Sequence, residues 1–395
     1  MADLLSNRGE DQIIMEGVDY FDLIPDPILN LIFNKIFDAK SLCRCLLVSK
    51  RFATIVSEVD SISIQMSNNH SNGSMNQPKS KKPSEESAKL STGSKNFFKN
   101  SIFKFICKPI NLLQQAISSK KMAKNGGGVD IMKWVGNTLK NFQDIESIKL
   151  ELPCHGGEIG INKNIPLLKW EAEFGKEMEM CAILGATSIV ERREKKGSEI
   201  EGENEVQVFS DEELKLRIIW IISCLIASSA RHNLVKKMVN QCPKLSNAVV
   251  SDAGKQGKLC MNANQIQDLK DSIQIATVNA SKGENPGSES ESEPETSGES
   301  TTAMAYAGNL VMKMWYVKEL ELPNSGKVMK GATLVVIKPE KKGNNGEEKE
   351  KEKEKKSDGV NMLKAFQGED VFEEAAKKLL KGKERRMYRL EMNSF

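Results

Sequence analysis

Three stretches of this 395-residue chain have almost nothing to bury, and they decide how the rest can fold. Residues 67–96 (SNNHSNGSMNQPKSKKPSEESAKLSTGSKN), 281–302 (SKGENPGSESESEPETSGESTT) and 340–359 (EKKGNNGEEKEKEKEKKSDG) are dominated by Ser, Asn, Gly, Lys and Glu. Burial there cannot offset the entropy of ordering the backbone, so all three are expected to be disordered. The same is expected of residues 1–18. What remains is a short apolar-rich piece at 19–66 and a long one at 97–395, interrupted by the two later inserts.

Charge and composition narrow the partners. Lys and Arg number 57 against 54 Asp and Glu, a net of +3, so no strong field favours nucleic acid or a membrane surface. The opening MADLLSNRGEDQ lacks a basic stretch followed by an apolar one, so no secretory leader is expected. Position 2 is not Gly and EMNSF is not a prenylation box, so lipid anchors are not expected either. The most apolar run, 218–230 (IIWIISCLIASSA), is shorter than a membrane span and is bounded by Arg217 and Arg231, which suits a buried helix. Cysteines stand scattered at 43, 45, 107, 154, 181, 224, 242 and 260, with no C-x-x-C, and histidines 70, 155 and 232 are far apart. Reduced thiols, no metal and no cofactor are expected. Cys154–His155 beside two glycines reads as a loop pair.

In the long piece, 97–117 (FFKNSIFKFICKPINLLQQAI) repeats Phe98, Ile102, Phe105 and Ile106 at helical steps with lysines between them. This basic amphipathic segment suits docking on its own domain better than membrane anchoring. Strands are expected at 145–153, where Ile148, Leu150 and Leu152 alternate, and at 178–190. Ser210 and Glu213 form a capping-box signature with Asp211 and Glu212 between them, announcing a helix toward Lys237. Apolar on nearly every face, that helix belongs in the centre. Two strands are expected within 245–262, a short helix at 262–272 and a strand–turn–strand over 311–339. An amphipathic helix over 361–383 and a strand over 386–395 close the chain. The fold class is α+β: a small all-helical N-terminal unit, then a mixed α/β domain. The tetrapeptide LELP at 150–153 and again at 320–323 leaves a degenerate leucine-rich arc as the alternative to one layered domain.

The short piece is the most informative. In DLIPDPILNLIFNKIF (22–37) two prolines precede an apolar stripe. Asp26 suits a cap, Pro27 the first helical position, and Pro25 biases Ile24 toward an extended conformation. Ile28, Leu29, Ile32, Phe33 and Ile36 then make one stripe; Leu42, Cys45, Leu46, Val48, Phe52, Ile55 and Val59 continue the pattern. A unit this small, cut off by a polar linker, is expected to need a partner protein.

These residues resemble the F-box. The pattern of that family opens on Leu-Pro, continues with an Ile/Leu-Phe stripe and ends on Val-(Ser/Cys)-Lys-x-(Trp/Phe). Here it falls on Ile24, Pro25, Leu29, Ile32, Phe33, Ile36, Leu42, Val48, Ser49, Lys50 and Phe52, with Ile for the first Leu and Phe for the commoner Trp. The remainder is similar to plant auxin up-regulated F-box proteins in LLKWEAEFGKEMEMCAILGA (167–186), SCLIASSARHNLV (223–235), MWYVKELELP (314–323), KGATLVVIKP (330–339) and YRLEMNSF (388–395). The resemblance implies a substrate-recognition adaptor of an SCF (Skp–cullin–F-box) ubiquitin ligase. The Skp adaptor subunit would bind Ile24, Pro25, Ile28, Leu29, Ile32, Phe33, Ile36, Leu42, Val48, Lys50 and Phe52. The C-terminal domain would hold an unknown protein substrate, and the cullin–RING core would be reached through Skp. A non-degradative scaffold that binds Skp is the alternative.

No catalytic constellation assembles, so no enzyme is expected. NSGKVMKGAT lacks the leading Gly of a phosphate loop, and GATSIV lacks the flanking glycines of a nucleophile elbow. Ser288, Ser290 and Ser292 each precede a Glu by three residues, an acidophilic kinase pattern inside a passive linker sequence. PKSKKP (78–83) is a weak nuclear signal, and the nucleus or the cytoplasm is the expected location. A nucleic-acid role for the basic stretch at 97–124 is disfavoured by the balanced charge.

Overall fold

The structure, a computed structural model, describes residues 20–66, 131–153, 161–162, 165–192, 210–281, 309–340, 362–382 and 386–392. The stretches read at 1–18, 67–96 and 97–117, Cys154–His155 and Ser288, Ser290 and Ser292 lie outside them.

The N-terminal piece folds as a turn of 3-10 helix at Tyr20–Leu23 and three helices, α1 (Asp26–Ile36), α2 (Ala39–Cys45) and α3 (Lys50–Ser57). It then gives strand β1 (Ser61–Gln65), so the piece is helical only to Ser57 and ends in a sheet. Next come α4 (Ile131–Leu139), β2 (Ser147–Leu152), the small hairpin β3 (Ile161–Asn162) and β4 (Ile165–Pro166), then β5 (Leu168–Phe174), β6 (Met178–Gly185) and β7 (Ser188–Glu191). Helix α5 (Asp211–Gln241) leads to β8 (Asn247–Asp252), β9 (Gly257–Met261) and α6 (Ala263–Ser281). The hairpin β10 (Leu310–Leu322) and β11 (Lys327–Pro339), helix α7 (Asp370–Lys381) and β12 (Arg386–Met392) complete the chain.

Ten strands form one mixed sheet in the order β1-β2-β8-β9-β5-β6-β11-β10-β12, with β7 also on β11. Strands β1, β2 and β8 are mutually parallel, and each follows a helix. The leucine-rich arc survives only as this trio, because from β5 through β12 neighbours run antiparallel. One core joins α1–α6 to the inner face of the sheet, and a second packs α7 on the other face of β6, β10 and β11.

Several sequence expectations are refined by physical detail. The run at 178–190 is two strands, split where Ala186 N–H turns to Leu167 O (2.9 Å) and Thr187 N–H to Lys330 O (2.8 Å). The helix expected over 361–383 is broken by Gly368, whose φ of 81° no helix accepts, and the one expected at 262–272 runs on to Ser281. Strand β5 was not foreseen, although Leu168, Trp170, Ala172 and Phe174 alternate with Lys169, Glu171 and Glu173. The capping box of α5 is present: Glu213 N–H donates to Ser210 Oγ (3.2 Å) and Ser210 N–H to Glu213 Oε2 (3.3 Å). In the most apolar 18-residue window of α5, 67% is buried against the rest of the protein, as befits a core helix.

Two buried groups on α5 fix how it meets the sheet. Arg231 stacks on Trp170 (4.4 Å to the ring centroid) and pairs through Nη2 with Asp252 Oδ2 at 2.7 Å. Asp252 also accepts from Gln256 N–H and Gly257 N–H, both at 2.9 Å, closing the β8–β9 turn. Gly257 lies beneath the Trp170 ring, where a Cβ would come within 2.2 Å of it. His232 stacks on Phe174 at 4.6 Å, and its Nε2 lies 3.1 Å from Gly175 O.

Gly257→Ala displaces Trp170 from under Arg231 and is expected to cost about 1–3 kcal/mol, seen as a lower urea midpoint. Burial pushes the His232 imidazole down from 6.5 to about 4. The folded state therefore binds its proton less tightly than the unfolded chain does. The stability from neutral His232 is complete above pH 6.5 and is lost as pH falls toward 4. A decline of up to roughly 3 kcal/mol is expected across that window. Thermal melts of the protein and of His232→Phe measure it, and the variant should show a flatter profile.

Candidate partner-binding site

The three N-terminal helices are held together by one arginine and one phenylalanine. Arg51, in the first turn of α3, donates from Nε to Asp26 Oδ1 (2.8 Å), from Nη1 to Phe21 O (2.8 Å) and from Nη2 to Ile24 O. The ring of Phe52 takes Phe21 and Phe33 edge-on at 5.5 and 5.1 Å. Asp26 therefore does not cap α1. The cap residue is Pro25 (φ −61°, ψ 144°), whose carbonyl accepts from Ile28 N–H and Leu29 N–H, while the Asp26 carboxylate is taken by Arg51. Asp38 caps α2 through Ser41 N–H (2.9 Å) and Ser49 caps α3 through Phe52 N–H (3.1 Å). The Ser41 hydroxyl bond holds the Asp38 carboxyl below its ordinary value.

The apolar stripe of α1 is two columns. Successive residues turn about 100° around a helix, so Leu29/Phe33 and Ile28/Ile32 cannot face one way. Leu29 and Phe33 are buried, with Ile36 half-buried beside them. Ile28 and Ile32 point outward with 47% and 45% of their surface exposed, next to Leu31 at 60%. Leu42 and Phe52 are also core. Four of the residues read as partner contacts, Leu29, Phe33, Leu42 and Phe52, thus shape the module from inside. Pro25, Ile28, Ile32, Val48 and Lys50 are exposed, and Ile24 is half-buried at the rim.

Leu23, Leu31 and Leu47 are exposed as well and are not among the residues the sequence singles out; Leu47 is the most open at 86%. The Arg51 clamp brings the α2–α3 turn, with Leu47 and Val48, to the end of the module that carries Leu23 and Ile28. The signal was legible: Leu31 adjoins Ile32 in the outward column, and Leu47 sits in the turn beside Val48. Large apolar side chains left open to solvent in this number are unusual for a module of about forty residues. Among the described residues no group of three or more His, Cys, Asp or Glu is placed to hold a metal.

The module is wired into the domain behind it. Asp60 N–H donates to Asn34 Oδ1 (3.0 Å), and Gln143 N–H donates to Ser57 O (2.8 Å). Strand β1 pairs with β2 from Ser61↔Ser147 to Gln65↔Glu151. Phe37 closes α1 at φ 55°, with Asp38 N–H on Ile36 O (2.6 Å), a strained γ-turn whose carbonyl accepts from Ser63 N–H (2.5 Å). The separation expected from the polar stretch at 67–96 is one of sequence and not of space.

Three helices presenting an apolar outer face over a shared inner core define an F-box-type module. The F-box-like family matches residues 21–62. The chain belongs to the plant F-box proteins. It is 35% identical to the Arabidopsis thaliana F-box protein At1g30200, over 100% of this chain and 98% of that one. Identity to F-box protein At5g46170 is 34% over 96% of this chain and 94% of the relative. The auxin up-regulated F-box protein AUF1, also of Arabidopsis thaliana, is 28% identical over 96% of this chain and 100% of its own. No solved structure matches the chain. F-box proteins in general bind a Skp subunit and act as non-catalytic adaptors of SCF ligases.

The two columns of α1 separate by experiment. Leu29→Ala should cost about 2–5 kcal/mol of unfolding free energy, whereas Leu31→Ala should change it by no more than ~0.5 kcal/mol. Chemical denaturation of both variants measures the contrast.

Proposed function

We propose that this protein is the substrate-recognition subunit of an SCF ubiquitin ligase, docking on Skp through Pro25, Ile28, Leu31, Ile32, Leu47 and Val48 and holding a target protein with the domain behind. The observation that carries the reading is the outward apolar column of α1 beside the exposed α2–α3 turn. Each large side chain fully removed from water contributes roughly 1.5–3 kcal/mol, so a few of them outweigh the cost of association. Ile24, Ile36 and Lys50 rim this face, while Leu29, Phe33, Leu42 and Phe52 hold its shape. The shared core supports this reading, because a target held by the domain would then keep a fixed position relative to Skp. In this reading the protein works in the nucleus or the cytoplasm, where its six described cysteines stay free thiols.

Ile32→Asp and Leu47→Asp should each weaken Skp binding at least tenfold while leaving the melting temperature unchanged, as isothermal titration against purified Skp would read. The paired change Ile24→Ala with Pro25→Ala should act in the same direction. In cells the double variant Ile32→Asp with Leu47→Asp, both on exposed side chains, should remove cullin from the purified complex and lengthen the target's lifetime. Cullin association without any change in lifetimes would favour the scaffold alternative.

A further inference from the structure

The outer face of α5 is apolar and open. Leu214, Ile218 and Ile222 recur at four-residue steps with 41%, 44% and 37% of their surface exposed, and Ile226 continues the row half-buried. Steps of four place these side chains about 6 Å apart on one side of the helix, a stripe about 18 Å long. At its N-terminal end Asp211 and Glu212 are exposed and make no ion pair with another described residue. An apolar stripe with an acidic end fits an apolar stripe carrying lysines. Residues 97–117 have that pattern: Phe98, Ile102, Phe105 and Ile106 at helical steps, with Lys99, Lys104 and Lys108 among them.

The tether permits the match. The described chain resumes at Ile131 with α4, whose Gly136 lies beside the Gln241 side chain at the far end of α5. From Gln241 back to Ile222 is about 28 Å along the helix. Residues 118–130 reach about 43 Å when extended, so the segment can lie along the stripe without displacing α4. On its other side residues 67–96 are long enough to impose no constraint.

We propose that residues 97–117 of this same chain cover the Leu214/Ile218/Ile222 face of α5, with their lysines beside Asp211 and Glu212. The segment is then an internal strap across the central helix and not a surface for lipid or for a second protein. The test uses the full chain with a benzoylphenylalanine photo-crosslinker at position 218, irradiated at low concentration and mapped by mass spectrometry. Crosslinks within one chain to 97–117 are expected. They should fall at least tenfold in the double variant Ile102→Asp with Phe105→Asp. The same probe at Lys377, exposed on α7 at the opposite face of the sheet, should not reach the segment. Crosslinks to a second copy, crosslinks elsewhere in the chain, or a yield unchanged by the double variant would each overturn the proposal. So would loss of the crosslink when phosphatidylserine vesicles sediment the chain.

Discussion

The pairing of β1 with β2 is the contact on which the rest of the molecule depends. Five residues of a strand attached to three helices join the edge of a ten-stranded sheet, in parallel, with Ile62 and Ile64 beside Ile148 and Leu150. Parallel neighbours need a long crossover, and here the connection is residues 66–146. Once β1 is seated, α1 and α3 have a floor to pack on. Phe52, Ile55, Val56 and Val59 then merge with Val135, Leu139 and Phe142 into one core. The edge that β1 would expose is partly occupied at its middle by Phe37 and Asp38, which turn back onto Ser63. A module too small to stand alone thus gains its stability from behind and leaves its front free.

The inner face of the sheet solves a different problem, that of charge near an apolar core. Arg217 is almost wholly buried, and burial draws its pKa down. Its guanidinium donates to Glu213 O at 2.9 Å and reaches Thr333 Oγ1 and Gly331 O at 3.3 Å, with Trp220 and Tyr316 beside it. Gly331 sits at φ 60°, where a Cβ would meet the Arg217 guanidinium at 2.7 Å. Two buried arginines of α5 are therefore each matched by a glycine in the sheet, Arg217 by Gly331 and Arg231, through Trp170, by Gly257. Hydrogen bonds and aromatic faces together make such burial tolerable.

Much of this was readable from the chain, and the failures share a cause. Ser210 and Glu213 declared the start of α5, and the alternation around Leu150 declared β2, because both signals are local. The F-box signature fell on residues 24–52, inside the 21–62 stretch that the F-box-like family matches. It could not say which column of α1 faces out, because Leu29 and Ile28 are equally apolar and only the position of Phe52 decides between them. Asp26 illustrates the same limit: a good capping residue was claimed by an arginine 25 positions away. The attachment of β1 was hidden for a related reason, since SISIQ is an ordinary alternation until its partner, 86 residues later, is known.

The shared core has a thermodynamic consequence. If α1, β1, β2 and β8 melt as one cooperative unit, whatever grips the outer column of α1 lowers the free energy of the whole unit by mass action. Amides in β8, which no docking partner on α1 touches, would then exchange with solvent more slowly whenever that face is occupied. A protein bound to the sheet would add to the same stability, since each partner favours the folded unit over the unfolded chain. Occupancy of the outer face of α1 would thus be written into the protection of a strand it never touches.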